Sequence, residues 1–175
     1  MNKSTVPPGT ADRVNRIITE TASRLNAQCA VTLVSNPEFL QEGTAVRQCM
    51  NPDRILIGTA SLEAAETMRQ LYQPLIAQHP ELFVVMSVRS AELAKYAANA
   101  LLATKISFIN EISQIAECVG ADVEEIKRAL ALDYRINPAF LNAGCGFGGS
   151  CFPKDLAGLE HIAREHQFNP VLISA

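Results

Sequence analysis

Hydrophobic and polar positions in the first half of the chain alternate between helical spacing and short apolar runs. Apolar residues recur at helical spacing from 10 to about 27, and Thr10 is the predicted N-cap. The runs 29–34 and 54–58 are rich in branched residues and bounded by Asn-Pro or Gly, which predicts buried strands, and 82–88 is predicted to be a third. This alternation predicts parallel α/β layering, although so few strands are unusual for a free-standing sheet.

A second helix of this half is predicted to begin after Ser61, its expected N-cap, and Pro74 should bend its last turns. After Val88 the pattern changes to one long helix at 90–119, which is rich in alanine and contains no Pro or Gly. The shift from mixed α/β to all helix places a candidate domain boundary near 89–90.

Two shorter helices and a glycine-rich loop are predicted to follow the long helix. Asp122 has the N-cap position of a capping box and opens a helix through about Leu132. Residues 133–150 form a loop, and a final helix begins near Phe152 or Pro153, since Pro suits the first helical turn. The expected fold class is therefore α/β, with a partial parallel sheet followed by an all-helical region that contains a long helix.

Composition and charge narrow the classes of function. Of the 175 residues, 48% are hydrophobic and 19% charged, with a formal net charge of −3. Without a run of Lys or Arg, this charge gives no reason to expect nucleic acid or an anionic membrane as a partner. No stretch approaches the ~18 apolar residues of a membrane span and the first residues lack the apolar core of a signal peptide, so a cytoplasmic protein is expected. The five cysteines include no Cys-x-x-Cys pair, which predicts neither a disulfide framework nor a metal site.

The sharpest local signal is the segment 144–155, in which a glycine-rich loop brings a cysteine to the start of a helix. Backbone N–H groups and the helix dipole at that place favour a thiolate, so Cys151 is a candidate nucleophile. Asp155 lies four residues further on, where its carboxylate could orient the sulfur, a water or an attacking hydroxyl. The alternative is a tight turn with a buried thiol and an acidic residue that only interacts with the dipole.

Three further polar positions are candidates for chemistry. Lys95 and Asn99 lie four residues apart on the long helix, so they could stabilise an oxyanion together or form a solvated polar edge. Glu38 and Glu42 follow a predicted strand, where they could act as a general base and a ligand contact or serve only to solvate a loop. Thr5, taken alone, is a turn residue. No Gly-x-Gly-x-x-Gly follows a strand to open a helix, so the dinucleotide fingerprint is not present.

Taken together, six segments resemble the nucleotide-sugar 6-dehydrogenases, and most closely those that act on UDP-glucose. The segments are Lys-Ser-Thr-Val-Pro at 3–7, Ser-Asn-Pro-Glu-Phe-Leu-x-Glu-Gly at 35–43, Asn-Pro-Asp-Arg at 51–54, Lys-Tyr-Ala-Ala-Asn-Ala at 95–100, Asp-x-Arg-Ile at 133–136 and Gly-Phe-Gly-Gly-Ser-Cys-Phe-Pro-Lys-Asp at 146–155. Members of this family oxidise the sugar C6 alcohol to a carboxylate with NAD, through a thiohemiacetal and a thioester on a cysteine. The same activity is what the resemblance implies for this sequence.

The resemblance also implies roles for individual residues. The catalytic set is Cys151, Lys95, Asn99, Asp155, Glu38 and Thr5, in which the cysteine is the nucleophile, the lysine and asparagine stabilise oxyanions, and the other three activate or position water. The substrate-binding set is Phe39, Leu40, Glu42, Arg135, Phe140, Phe147 and Gly148. The cofactor-binding set is Thr5, Glu42 and Lys154, with most of the NAD site outside this sequence.

In the family architecture, residues 1–89 would be the trailing part of a Rossmann-like NAD-binding domain and residues 90–175 the helical central domain. Arg135 matches an arginine that reaches the neighbouring subunit, which implies a homodimer built through the helix at 90–119. Family members also carry a fingerprint half and a further α/β domain, so the sequence is expected to be a central fragment that is inactive alone.

Two alternatives stay open at this point. The choice of UDP-glucose over GDP-mannose or another nucleotide sugar rests on Glu42-Gly43, and Asn142 stands where some relatives carry a lysine that could meet a phosphate. The second alternative is a non-catalytic dimerisation module that keeps the cysteine motif as a relic.

Overall fold

A computed structural model describes residues 1–28 and 30–175 of the chain. These residues fall into two compact units, Met1–Lys95 and Tyr96–Ala175. A long helix spans Val88–Val119 and therefore contributes residues to both units. Within the described ranges, no helix is both long enough and apolar enough to cross a membrane.

The first unit is a parallel α/β arrangement. Its elements are α1 (Thr10–Arg24), α2 (Ala45–Met50), β1 (Ile55–Gly58), α3 (Leu62–Ile76), a 3₁₀ turn (Pro80–Leu82), β2 (Phe83–Met86) and the first two turns of α4 (Val88–Val119). Strands β1 and β2 pair in parallel, with Ile55 opposite Phe83, and α3 forms the crossover between them. The buried core of this unit consists of Val34, Ile55, Ile57, Met68, Ile76 and Phe83. The predicted fold class, a partial parallel sheet followed by a helical region with a long helix, is confirmed.

The helix starts show which capping predictions hold. Ser61 caps α3 as predicted, because its hydroxyl accepts a hydrogen bond from the N–H of Ala64 at 3.1 Å. The prediction that Thr10 caps α1 is wrong: Gly9 is the N-cap, at φ +94°, and Thr10 is the first helical residue. The helix start is capped by a more distant group instead. The buried carboxylate of Glu92 accepts hydrogen bonds from the N–H groups of Gly9 (2.7 Å) and Ala11 (3.0 Å).

The start of α4 lies close against β1. A Cβ added to Gly58 would stand 2.7 Å from the Cβ of Ala91 and 2.9 Å from the Cα of Val88, so only glycine fits there without a backbone shift. The helix begins at Val88, two residues before the predicted start, and the Ser87 hydroxyl accepts a hydrogen bond from the N–H of Ser90.

The predicted strand at 29–34 is wrong. Cys29 lies outside the described residues, and the rest of this run forms no regular strand. Pairing is limited to isolated bridges of Ser35, parallel to Asn2 and antiparallel to Gly58. Val34 packs in the core, but residues 30–32 are exposed, so over that stretch the side chains that suggested a strand have little apolar surface to pack against. The short helix α2 was not predicted, because six residues carry too little periodicity.

All regular secondary structure in the second unit is helical. It contains α4 from Tyr96 onward, α5 (Val123–Ala131), α6 (Phe152–Glu165) and α7 (Val171–Ser174). Asp122 caps α5 as predicted, and its carboxylate accepts a hydrogen bond from the N–H of Glu124 at 2.8 Å. Helix α6 begins at Phe152, as predicted, with Pro153 in its first turn. Helix α7 was missed because it has only four residues.

Candidate functional site

In the first unit, Asn36 anchors the start of the loop that carries the candidate acids. Its side chain is buried, and its Oδ1 accepts hydrogen bonds from the Lys3 ammonium (3.0 Å) and the Tyr72 hydroxyl (2.5 Å). Its Nδ2 donates to the carbonyl of Leu56 in β1 at 3.0 Å. These contacts fix the loop to the sheet and to α3, so the residues that follow Asn36 are presented from a rigid base.

Glu38 and Lys95 come together in this unit. The Lys95 ammonium lies 3.6 Å from Glu38 Oε1, and their side chains are 6% and 34% exposed. The second carboxylate oxygen of Glu38 accepts the N–H of Leu40 at 2.6 Å. The Lys95 ammonium also lies 5.2 Å from the ring centre of Phe39, within cation–π range. A buried cation of this kind can stabilise an oxyanion, and a partly exposed carboxylate can accept a proton from water.

A cavity of about 150 Å³ is lined in part by Glu38. The predicted substrate residues Phe39 and Leu40 both line it, and the guanidinium of Arg54 stacks 3.9 Å from the Phe39 ring centre. Thr5 is half-buried and Glu42 is exposed. Among the described residues no hydrogen bond or ion pair joins either of them to Glu38.

In the second unit, Asn99 and Asp155 form a buried pair. They are 6% and 2% exposed, and the Asn99 amide donates to Asp155 Oδ2 at 2.6 Å. The other carboxylate oxygen accepts from the ammonium of Lys154 at 2.5 Å, and this hydrogen bond raises the pKa of Lys154. The N–H of Asp155 donates to the carbonyl of Cys151 at 2.9 Å. One helical turn therefore links the buried carboxylate to the residue that carries the thiol.

Cys151 is the N-cap residue of α6 and is exposed. The Ser150 hydroxyl lies 3.8 Å from its sulfur. Gly146 and Gly149 have φ values of +92° and +78°, which only glycine adopts without strain, so the glycines let the loop turn the cysteine to the start of the helix. The predicted alternative of a buried thiol does not apply to this residue. Gly144, Gly146 and Gly149 do have the spacing of a dinucleotide fingerprint, but the described element before them is helix α5 and not a strand.

The remaining predicted substrate residues lie on the loop between α5 and α6. The ring of Phe152 is flanked by those of Phe140 and Phe147, at centre distances of 6.2 and 6.0 Å, and Gly148 is exposed next to Phe147. The exposed Arg135 pairs with Asp133, and the hydrogen bonds from Arg135 lower the pKa of Asp133.

Four polar residues in and around these clusters were not singled out from the sequence. They are Asn36, Glu92, Lys105 and Asn110. Lys105 donates to the carbonyls of Ile136 and Asn137, and Asn110 accepts from the N–H of Gly144. No local pattern marks them, because each has another polar residue within two positions in the sequence.

Comparison with known proteins gives the family. Residues 1–76 match the NAD binding domain, and residues 89–175 the central domain, of the UDP-glucose/GDP-mannose dehydrogenase family. The chain belongs to this family. It is 47% identical over 175 residues to a UDP-glucose 6-dehydrogenase of Pseudomonas aeruginosa, covering 100% of this chain and 38% of the relative. The chain therefore spans well under half the length of the curated relatives it matches.

Solved structures agree with this assignment. A UDP-glucose dehydrogenase from the archaeon Pyrobaculum islandicum is similar with a TM-score of 0.90 and 40% identity, over 98% of this chain and 38% of that one. A GDP-mannose dehydrogenase from Pseudomonas aeruginosa is similar with a TM-score of 0.65 and 30% identity, over 98% of this chain and 39% of that one.

Proposed function

We propose that this chain serves in the NAD-dependent, two-step oxidation of UDP-glucose to UDP-glucuronate and is inactive alone. The observation that carries the proposal is the exposed thiol of Cys151 at the start of α6, one turn from the carboxylate of Asp155 that Asn99 holds. The similarity to UDP-glucose 6-dehydrogenases over the whole chain supports the same substrate.

In the proposed reaction, Cys151 is the nucleophile. The C6 alcohol first loses a hydride and a proton to become an aldehyde. The thiolate then adds to the aldehyde carbon and forms a thiohemiacetal, which loses a second hydride to become a thioester. Water cleaves the thioester and returns the thiol. Covalent capture keeps the reactive aldehyde in the site between the two oxidations.

The buried polar side chains supply the other roles in this proposal. Lys95 and Asn99 stabilise the oxyanions that form on the substrate carbon, a contribution worth ~3 to 4 kcal/mol per donor in other enzymes. Glu38 accepts a proton from the attacking water, which suits a carboxylate that is partly exposed. Thr5 and Asp155 position that water.

NAD, when bound, accepts the hydride in both oxidations. The parallel pair β1 and β2 with its helical crossover has the layering of a dinucleotide-binding sheet, so the described residues fit the trailing part of such a site. The residues proposed to hold the cofactor are Thr5, Glu42 and Lys154. The Lys154 side chain is 60% exposed beside Asp155, so its ammonium can meet a negatively charged group.

The nucleotide sugar is proposed to bind through residues of two loops. These residues are Phe39, Leu40, Glu42, Arg135, Phe140, Phe147 and Gly148. The aromatic rings near Phe152 offer an apolar surface to a sugar or base, and Arg135 presents a guanidinium that suits a phosphate or hydroxyl.

A homodimer built through α4 is part of the proposal. Leu101, Phe108 and Ile115 are spaced seven residues apart on this helix and are 64%, 49% and 51% exposed. Such a heptad stripe of apolar side chains is typical of a helix that packs against another helix. The division into an NAD-binding part at 1–89 and a central domain at 90–175, a cytoplasmic location, and the expectation of no nucleic-acid or membrane partner stay predictions.

The proposal can be tested in a hybrid dehydrogenase. Residues 1–175 would replace the matching 38% of the Pseudomonas aeruginosa relative, with NADH formation followed by absorbance. We expect the hybrid to form two NADH for each UDP-glucose. Cys151→Ser should abolish this activity, whereas Cys145→Ser, an exposed cysteine of the same loop, should leave it unchanged. A hybrid that folds but forms no NADH from UDP-glucose would contradict the proposal, and activity with GDP-mannose in its place would favour the alternative substrate.

Titration calorimetry of the chain alone distinguishes the proposed enzyme part from a non-catalytic dimerisation module. Binding of UDP-glucose or NAD would count against a non-catalytic dimerisation module. For NAD we expect no detectable affinity, because no Gly-x-Gly-x-x-Gly follows a strand in this sequence, and a low-micromolar dissociation constant would overturn that expectation.

A further inference from the structure

The loop between α5 and α6 holds two residues in a conformation that L-amino acids rarely adopt. Asn137 and Phe140 both have φ near +64°. Asparagine tolerates this left-handed region, but for a bulky aromatic residue it is strained. Strain of this kind persists only where surrounding contacts determine the backbone, and it is concentrated at ligand-binding segments.

Lys105 supplies such contacts. It lies in the middle of α4, and its half-buried ammonium donates to the carbonyls of Ile136 (3.0 Å) and Asn137 (3.1 Å). Both carbonyls adjoin the Cα of Asn137, the first of the two residues with positive φ. A lysine ammonium has three donors and a compact charge, so it can bind two adjacent carbonyls that an apolar side chain of equal length cannot.

The other end of the same loop is tied to α4 as well. The side-chain oxygen of Asn110 accepts the N–H of Gly144 at 2.8 Å. Between the two ties, Leu141 is 2% exposed and its N–H donates to the carbonyl of Pro138. The segment 136–144 is therefore held at both ends by the helix and in its middle by a buried leucine.

We propose that Lys105 is a positioning residue for nucleotide-sugar binding. Its ammonium holds the segment 136–144 in the strained form in which the exposed Arg135 side chain pairs with Asp133 and Phe140 packs near Phe152. The assignment of the ligand rests on the proposed function, whereas the hold on the loop does not.

The hold on the loop can be measured on the chain itself by limited trypsin digestion. The bond between Arg135 and Ile136 lies beside the carbonyls that Lys105 binds, and the bond after Arg24 at the end of α1 provides an internal reference in the other unit. In Lys105→Met we expect cleavage after Arg135 to become about tenfold faster, because two hydrogen bonds to a charged donor are lost and cleavage tracks the open population. Cleavage after Arg24 should not change.

Two matched variants make the result specific. Lys105→Arg keeps a cationic donor and should restore slow cleavage. Lys127→Met removes a lysine of α5 whose ammonium pairs with Glu124, and it should leave both rates unchanged. The proposal would be overturned if Lys105→Met accelerated trypsin cleavage equally after Arg24 and Arg135, or did not accelerate cleavage after Arg135.

The ligand part is measured in the hybrid dehydrogenase. Lys105→Met should raise KM for UDP-glucose about tenfold with a smaller change in kcat, because a displaced loop weakens binding more than chemistry. Lys105→Arg should return KM towards the unchanged value. An unchanged KM in a hybrid whose loop is released would overturn the link to the ligand. If the parent hybrid is inactive, the proposed function fails, and the trypsin experiment still decides whether Lys105 holds the loop.

Discussion

Each unit holds a carboxylate paired with a buried side chain of α4, and the two pairs are built differently. In the first unit the ammonium of Lys95 stands 3.6 Å from the carboxylate of Glu38, too far for a hydrogen bond. In the second, Asn99 donates to Asp155 at 2.6 Å, and Lys154 donates to the same carboxylate. The second geometry can stabilise the fold in addition to the roles proposed for Asn99 and Asp155. The first leaves a buried cation able to bind a developing negative charge, at some expense in stability.

The largest effect is expected from Lys95→Met in the hybrid dehydrogenase. Loss of an oxyanion donor should lower kcat by about a hundredfold to a thousandfold. The free energy of unfolding of the chain should change little, because the Glu38 carboxylate that loses its partner is 34% exposed and stays in contact with water. Steady-state kinetics and urea unfolding followed by circular dichroism give the two quantities.

A matched control for this experiment is Lys127→Met, which removes an amine from α5. It should change neither quantity. A Lys95→Met chain that unfolds much more easily would show that the first pair, too, contributes to the fold, and the contrast between the pairs would be lost.

A smaller effect, and one on stability, is expected from Asp155→Ala. The amide of Asn99 would be left buried without its acceptor, which costs about 1 to 3 kcal/mol. Asp155→Asn keeps an oxygen at the same place and should lose less. Urea unfolding measures the totals, and hydrogen exchange of the α6 amides shows whether the loss is confined to the second unit. A change in Asp155→Ala no larger than in Asp155→Asn would remove the structural role assigned to the carboxylate.

The secondary structure shows which features the sequence can predict. Helices with strong periodicity, such as α3 and α4, were predicted closely, because apolar spacing and caps are local signals. The N-cap of α1 was not predicted correctly, because the group that caps this helix is Glu92, more than eighty residues away. The strand predicted at 29–34 was wrong, because β-branched residues indicate a strand only where a partner strand and an apolar surface are present.

The candidate site also contains residues that the sequence predicts and residues that it does not. Cys151 at a helix start and the Lys95–Asn99 spacing follow from local pattern and resemblance. The residues that fix the loops around them, Asn36 and Lys105, bind carbonyls that the sequence does not place nearby. Their roles depend on tertiary contacts, which a single sequence does not encode in a readable pattern.

The smallest predicted effect is the response of the exposed pair in the second unit to acid. Hydrogen bonds from Arg135 hold the pKa of Asp133 below its usual value of 3.8. A carboxyl group whose folded pKa is depressed contributes stability above its unfolded pKa, and this contribution is lost as the pH falls from 3.8 through the lowered value. Because the Arg135 side chain is 73% exposed and water screens the pair, the effect on the unfolding of the chain should be small.

The Nε–H signal of Arg135 in a proton–nitrogen NMR spectrum reports this release. It should move only as the pH falls below 3.8, and in Asp133→Asn it should already lie at the released position at neutral pH. An Arg135 signal that stays constant through the acid range would show that the pair does not form, and Arg135 would then reach a ligand without first leaving Asp133.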